Sequence, residues 1–174
     1  HAGLEHHRRA RRTRFRHRRS LRRAARHAHR PVHVDLLGRE FHAEAPNQRW
    51  VGDTTELLVG DNGAKLYLAV ILDLYSRYVV GWALSPSNDR FVTMRALDMA
   101  IRRRCPGAGL LHHSDQGSTY ASEDYQKVLA AHGITCSMSR KGNVFDNAAM
   151  EAWNSTFKAE CGERYATNAA AEDA

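Results

Sequence analysis

The run Leu66–Leu72 (LYLAVIL) constrains this chain more than any other segment. It is apolar at odd and even positions alike, and it is too short for a helix that buries every side. Such a run fits a central strand covered on both faces. Arg49–Val59 precedes it and Lys65–Tyr75 contains it, with the turn cluster Gly60-Asp61-Asn62-Gly63 between them, so these two segments predict a hairpin. Tyr78–Leu84 reads as a third strand, reached through a short Ser76-Arg77 turn.

The period then changes. Asn88 or Asp89 can cap a helix to about Arg104, with Phe91, Met94, Leu97 and Ile101 on one stripe. Leu110–Ser114 is a short strand, and Ser122 caps a helix through about Ala131. Gly133 stops that helix, and Ile134–Met138 is a fifth strand. A basic loop, Ser139–Asn143, leads to a last helix from about Asn147 to Glu160. Asp146 is its expected N-cap, with Phe145 and Met150 as a hydrophobic staple. The fold class is therefore α/β, a mixed five-stranded sheet in the order βββαβαβα, flanked by helices.

Charge divides the chain unevenly. Residues 1–30 hold twelve arginines and one acid, Glu5, which is +11 of a net +7, so the remainder carries −4. With few large apolar residues this stretch cannot bury enough surface to fold alone, and it reads either as a phosphate-gripping arm or as a solvated tail. The divisions are a basic arm and linker over 1–45, a patterned, folded core over 46–160 and a polar, Ala-rich C-terminal tail over 161–174 with little to pack. No apolar run is long enough to span a bilayer. Three widely spaced cysteines form neither a disulfide framework nor a zinc pattern, which predicts reduced thiols.

Three acids fall where this order would gather them: Asp53 in the first strand, Asp115 just past a strand end, and Glu151 in the first turns of the last helix. Strand ends are where open α/β sheets build their sites. Carboxylates suit hard divalent cations, and a pair of such ions can activate one oxygen and stabilise another at a phosphodiester. Asp73 also ends a strand, but a turn-capping role, with Arg77 as an ionic partner, suits it better. His112-His113 lack a second ligand pair for zinc, and His113 is left as a candidate to line the site. Arg140 and Lys141 can contact phosphates from their glycine-containing loop. Trp153 and Phe157 share the apolar face of Met150 and belong to the core.

Between Asp115 and Glu151 lie 35 residues, 116–150, and Lys158 follows Glu151 by seven. That spacing resembles the retroviral-integrase-like transposases, and more closely the second-reading-frame transposases of the bacterial insertion-sequence three family. The resemblance rests on PNQRWVGDTT (46–55), LYLAVILDLYSRYVVGW (66–82), LLHHSDQGSTYAS (110–122) and HGITCSMSRKGNVFDNAAMEAWNSTFKAE (132–160). It implies a ribonuclease-H-like fold and a polynucleotidyl transferase that cleaves and joins DNA at insertion-element ends. It further implies Asp53, Asp115 and Glu151 as ligands of Mg²⁺, with Mn²⁺ as a substitute, and Lys158, Arg140 and Lys141 as DNA contacts. The implied partners are element-end and target DNA, with a homo-oligomer on that DNA, in bacterial cytoplasm at the nucleoid.

Two departures stand out. Gly52 occupies a place where that family more often has Thr, which is expected to be harmless. The Tyr-Asn-x-x-Arg-x-His stretch that usually follows the Lys-bearing helix is not found after Lys158. Two other readings remain: a ribonuclease-H-like nuclease without strand transfer, and a truncated remnant that binds DNA or a full-length partner.

Overall fold

The computed structural model describes residues 34–174; the arginine-rich arm expected over 1–30 lies outside the described residues. Strands β1 (Arg49–Val59) and β2 (Ala64–Asp73) form the expected hairpin, in register from Trp50↔Asp73 to Val59↔Ala64. The turn works because Gly60 and Gly63 both adopt positive φ, which costs glycine little, and the Gly63 N–H donates to the Gly60 carbonyl at 3.2 Å. Strand β3 (Val79–Ser85) adds antiparallel to β2, with a register shift at Ile71/Leu72. Strands β4 (Leu111–Ser114) and β5 (Thr135–Met138) then extend the sheet in parallel from the other side of β1. The order is β3-β2-β1-β4-β5.

Alternation along the strands sorts two cores. Trp50, Ala69 and Ile71 face helices α1 (Arg90–Arg104) and α2 (Glu123–Ala131), whose N-caps are the Asp89 and Ser122 side chains. Val51, Leu68, Val70 and Leu72 face the opposite way, toward Leu37, Ala43 and helix α3 (Ala148–Cys161). Both faces of β2 are thus buried, as its apolar run requires. Met150 is fully buried on α3, while Trp153 and Phe157 pack half-buried against that core, their rings stacked 5.2 Å apart.

Three local expectations are corrected. The buried stripe of α1 is Val92, Thr93, Ala96, Leu97 and Ala100, and Phe91 is exposed. The cause lies on β3: a Cβ at Gly81 would overlap the Ala96 carbonyl and lie 2.7 Å from the Ala100 nitrogen. The helix therefore approaches the sheet through its small residues, and Met94 and Ile101 pack at the margins. Helix α3 is entered through a 3₁₀ turn, Val144–Asn147, and Asn147 is its N-cap without a side-chain bond. Asp146 is buried and engaged elsewhere, while Phe145 is exposed, so neither the cap nor the staple forms.

The third correction concerns residues after Cys161. They add a two-residue strand, β6 (Arg164–Tyr165), and a short helix, α4 (Asn168–Glu172). Strand β6 pairs in parallel with Leu58 and Val59, making the sheet six-stranded, and Tyr165 and Ala171 are buried in the α3-side core. Core packing also begins upstream of residue 46, at Leu37. No helix among the described residues is long and apolar enough to cross a membrane.

Candidate active site

Strands β1 and β4 stay paired only through Val51↔His113. Two residues beyond that pair on each chain stand Asp53 and Asp115, so the divergence of the strands puts both acids beside one opening. Glu151 enters from α3. All three line a single open cleft of about 430 Å³, together with Gln116, Gly117, the loop Ser139–Asn143 and Asn147. The expected DNA-contacting residues Arg140 and Lys141 are in its wall. Lys158 is not among the lining residues, and its Nζ lies 3.6 Å from Glu163.

Each acid is held differently. Asp53 Oδ2 accepts a 2.8 Å bond from Asn154 Nδ2, one helical turn beyond Glu151 on the same face of α3. Burial does most to push the Asp53 carboxyl up, to about 6, and Asp115 and Glu151 push in the same direction. Hydrogen bonds from the Thr54 backbone and Asn154 oppose them. Asp115 Oδ1 accepts from the Gly117 N–H at 2.9 Å, and a Cβ at Gly117 would sit 2.8 Å from that oxygen. Glycine at 117 lets the Asp115 carboxylate fold back onto its own loop. Asn154 and Gly117 escaped the sequence reading; the i, i+3 spacing from Glu151 was the available signal for Asn154.

Among the described residues, no three His, Cys, Asp or Glu side chains converge into a ready-made metal cage. The donor set nonetheless suits a hard cation. It consists of three carboxylates on one cleft, and the most buried of them is made reluctant to ionise by burial first and by the other two acids besides. A divalent ion is the species that relieves such repulsion.

The basic wall is anchored from below. Buried Asp146 accepts from Arg140 Nε at 2.9 Å, from its terminal guanidinium nitrogen at 2.9 Å and from its backbone N–H at 3.1 Å. Arg39 Nε adds a fourth bond at 2.9 Å. Arg140 first, and Arg39 with it, hold the Asp146 carboxyl well below the usual carboxylate range. Two guanidiniums share one carboxylate, which leaves one net positive charge, and Lys141 adds another.

His113 is buried and does not line the cleft. Ser137 Oγ accepts from the Leu36 and Leu37 N–H groups at 2.9 and 3.1 Å, so its own proton goes to His113 Nδ1 at 2.8 Å. The imidazole is then neutral and donates from Nε2 to Ser139 Oγ at 3.0 Å, and burial lowers its pKa. It ties the first residue of the cleft loop to β5. His112 points to the other core, bonded at 2.7 Å to the Tyr125 hydroxyl, and burial pushes it down to about 3. Gly52 makes room for it: a Cβ there would lie 2.9 Å from His112 Cε1. Asp73 caps its turn, accepting from the Ser76 N–H at 3.0 Å and hydroxyl at 2.7 Å and from the Asn47 N–H at 3.0 Å. Its ionic neighbour is Arg104 at 3.9 Å, whereas the side chain of Arg77 donates to the Phe41 carbonyl.

With this geometry in hand, the chain can be set beside known proteins. The family described as Integrase core domain matches residues 43–144. Transposase InsF for insertion sequence IS3A, of Escherichia coli (strain K12), is 43% identical over 131 residues, which cover 75% of this chain and 45% of that protein. The Insertion element IS600 uncharacterized 31 kDa protein of Shigella sonnei is 44% identical over 138 residues, 79% of this chain and 50% of that one. The chain thus spans about half the length of these relatives. Among solved structures, the HTLV-2 integrase catalytic core domain in complex with magnesium aligns with a TM-score of 0.54 at 21% identity, covering 69% of this chain and 72% of that one. A chain of the simian T-cell lymphotropic virus intasome in complex with PP2A regulatory subunit B56 gamma aligns at 0.62 and 22%, covering 69% and 41%. These likenesses identify the fold as ribonuclease-H-like.

Proposed function

The chain belongs to the integrase core domain family, and on that footing we propose that it is the catalytic core of a DNA transposase. The observation that carries the proposal is the convergence of Asp53, Asp115 and Glu151, from three separate elements, on one cleft with a basic wall. The reaction is phosphoryl transfer in two stages. Hydrolysis of a phosphodiester at an insertion-element end frees a 3′-hydroxyl, and that hydroxyl then attacks a second phosphodiester. Water and DNA are the nucleophiles, so no protein–DNA bond forms. The chain's likeness to IS3 transposases favours joining over simple nucleolysis.

Asp53, Asp115 and Glu151 would hold the divalent cations, Mg²⁺ or Mn²⁺. When bound, such ions supply the charge that activates an attacking oxygen and stabilises a leaving one. Asp53 contributes rigidity, since it sits on the central strand with one oxygen fixed by Asn154. Asp115 is steadied by the Gly117 N–H. Arg140, pre-oriented by Asp146, and Lys141 draw in the phosphate backbone and offset the acidity of the cleft. Lys158 is proposed to meet DNA further along α3, two turns from Glu151. The working assembly is a homo-oligomer on element-end and target DNA.

The test is nicking and strand transfer on a labelled duplex with Mg²⁺, Mn²⁺ or EDTA. Asp53→Asn, Asp115→Asn and Glu151→Gln should each abolish both products while the circular dichroism stays that of the folded chain. Equal activity in EDTA would sink the proposal, and nicks without joined products would favour a plain nuclease.

A further inference from the structure

Strands β1 and β4 part after Val51↔His113, yet Asp53 and Asp115 stand beyond that point, one on each chain. Backbone pairing between the two strands therefore does not set how far apart these acids lie. Past the split, β1 stays paired with β2 on its other edge, and β6 joins it only at Leu58. A side chain bridges the gap instead. The Tyr120 hydroxyl and Thr54 Oγ1 are hydrogen-bonded at 3.2 Å. Alternation along β1 turns Thr54 away from Asn154 and α3, toward the core in which Tyr120 is buried.

Each end of that bond leads to a carboxylate in short steps. On β1, Thr54 follows Asp53, and its backbone N–H favours the ionised form of that acid. On the loop, the Ala121 N–H donates to the Gly117 carbonyl at 3.0 Å, and the Gly117 N–H holds Asp115 Oδ1 at 2.9 Å. Tyr120 is itself fixed. Its ring is 2% exposed and meets Tyr125 edge-on at 5.3 Å, and its carbonyl accepts from Gln126 Nε2 at 2.9 Å. Burial does most to hold its phenol well above the ordinary range, the bond to Thr54 opposes this, and Asp53 and Asp115 add to it. The hydroxyl thus stays protonated and feels both acids. Tyr120 does not line the cleft, so it acts through the two chains it joins.

We propose that Tyr120 is a positioning residue: by bonding Thr54 from within the Asp115 loop, it fixes the separation of the Asp53 and Asp115 carboxylates and so fits the cleft to a small divalent cation. This rests on the reading of the cleft as a metal-dependent site. It adds that the fit to the ion is set from the core behind β1, on the face opposite α3. A small ion with a strict octahedral shell is the one most sensitive to such spacing.

The experiment titrates the full, DNA-free chain with Mg²⁺ and with Ca²⁺ while following Tm, and then measures cleavage of a labelled duplex. Tyr120→Phe and Thr54→Val each remove one partner at nearly constant shape. Each should raise the half-saturating Mg²⁺ concentration by about 2- to 10-fold, the worth of one hydrogen bond. The double variant should do no more than either alone, and Thr54→Ser should keep wild-type binding. Ca²⁺ should weaken less, because its shell is larger and more flexible. Equal losses for the two ions would reduce Tyr120 to general packing and overturn the positioning role. Unchanged Mg²⁺ binding in both single variants would overturn it as well. Where Tyr120→Phe fails to fold, Thr54→Val against Thr54→Ser decides from the other partner. A wild type whose Tm ignores Mg²⁺ and which cleaves equally in EDTA removes the metal-dependent reading and this role together. Wild-type Mg²⁺ binding with indifferent variants removes the role of Tyr120 alone.

Discussion

Asp53→Asn should make the metal-free chain more stable while removing its activity. The folded chain raises the Asp53 carboxyl from its ordinary 3.8 to about 6, through burial first and then the neighbouring acids. At 1.36 kcal/mol per pH unit, that rise corresponds to about 3 kcal/mol of stability forfeited whenever Asp53 is ionised. The sign follows from proton binding. Between pH 3.8 and about 6 the folded chain binds this proton more tightly than the unfolded one, so stability falls as pH rises through that window. Above it the penalty is complete. Asparagine keeps the size of the side chain, and its Oδ1 can accept from Asn154. For a chain of this length 1 kcal/mol moves Tm by roughly 2–4 °C, which gives an upper bound of about 6–12 °C at pH 8. The assay is thermal unfolding in EDTA at pH 8 and pH 4 for both proteins. The gap should be largest at pH 8 and shrink strongly at pH 4. Adding Mg²⁺ should raise the wild-type Tm more than that of the variant, because an ion that binds only the folded state stabilises it by mass action. A variant melting at or below wild type at pH 8, or a gap indifferent to pH, would refute the electrostatic account of the cleft.

Asn154→Ala removes a donor that favours the ionised form of Asp53, so the acid limb of the cleavage pH profile should move to higher pH; an unmoved limb would exclude Asn154 from positioning this acid. Gly52→Thr drives a Cβ to 2.9 Å from His112, which is pinned by Tyr125, and should cost about 1–3 kcal/mol in urea unfolding. A cost near zero would mean that this core repacks freely. Tyr165→Ala should cost about 3 kcal/mol, since it empties a buried site under β6, and a neutral result would show that residues after Cys161 do not dock. Deleting residues 1–30, with their charge of +11, should flatten the salt dependence of DNA binding by roughly 0.9 in log–log slope for each phosphate the arm neutralises. An unchanged slope would deny the arm a phosphate-gripping role.

The basic wall and the two histidines show how unlike the roles of adjacent residues can be. His112 and His113 point to opposite cores because strand side chains alternate, and neither reaches a metal. His113 instead links the segment at Leu36–Leu37 to the cleft loop through Ser137 and Ser139. Asp146 makes a second link between the same two segments through Arg39 and Arg140. The loop that lines the cleft is therefore held from below at its first two residues, Ser139 and Arg140.

Local pattern alone determined the first five strands, both early helices and their caps, because period, glycine turns and Ser or Asp caps act over a few residues. The doubly buried β2, the Gly60–Gly63 hairpin and the starts of α1 and α2 all follow from neighbours in sequence. That Asp53, Asp115 and Glu151 would share one cleft was legible for a related reason: their spacing, and the family it resembles, encode an order of strands that ends in one place. What required tertiary structure was every outcome set by a partner distant in the chain. The face of α1 turns on Gly81, whose missing Cβ admits Ala96 and Ala100. Asp146 forgoes capping α3 because Arg39, more than a hundred residues earlier, and Arg140 offer stronger bonds, and Phe145 is left outside as a result. Tyr165 looks like part of a polar tail until the far end of β1 offers Leu58 and Val59 as an open edge. Lys158 shares the Glu151 side of α3 by spacing, yet it lies beyond the cleft, because spacing along a helix fixes direction and not how far the neighbouring wall extends.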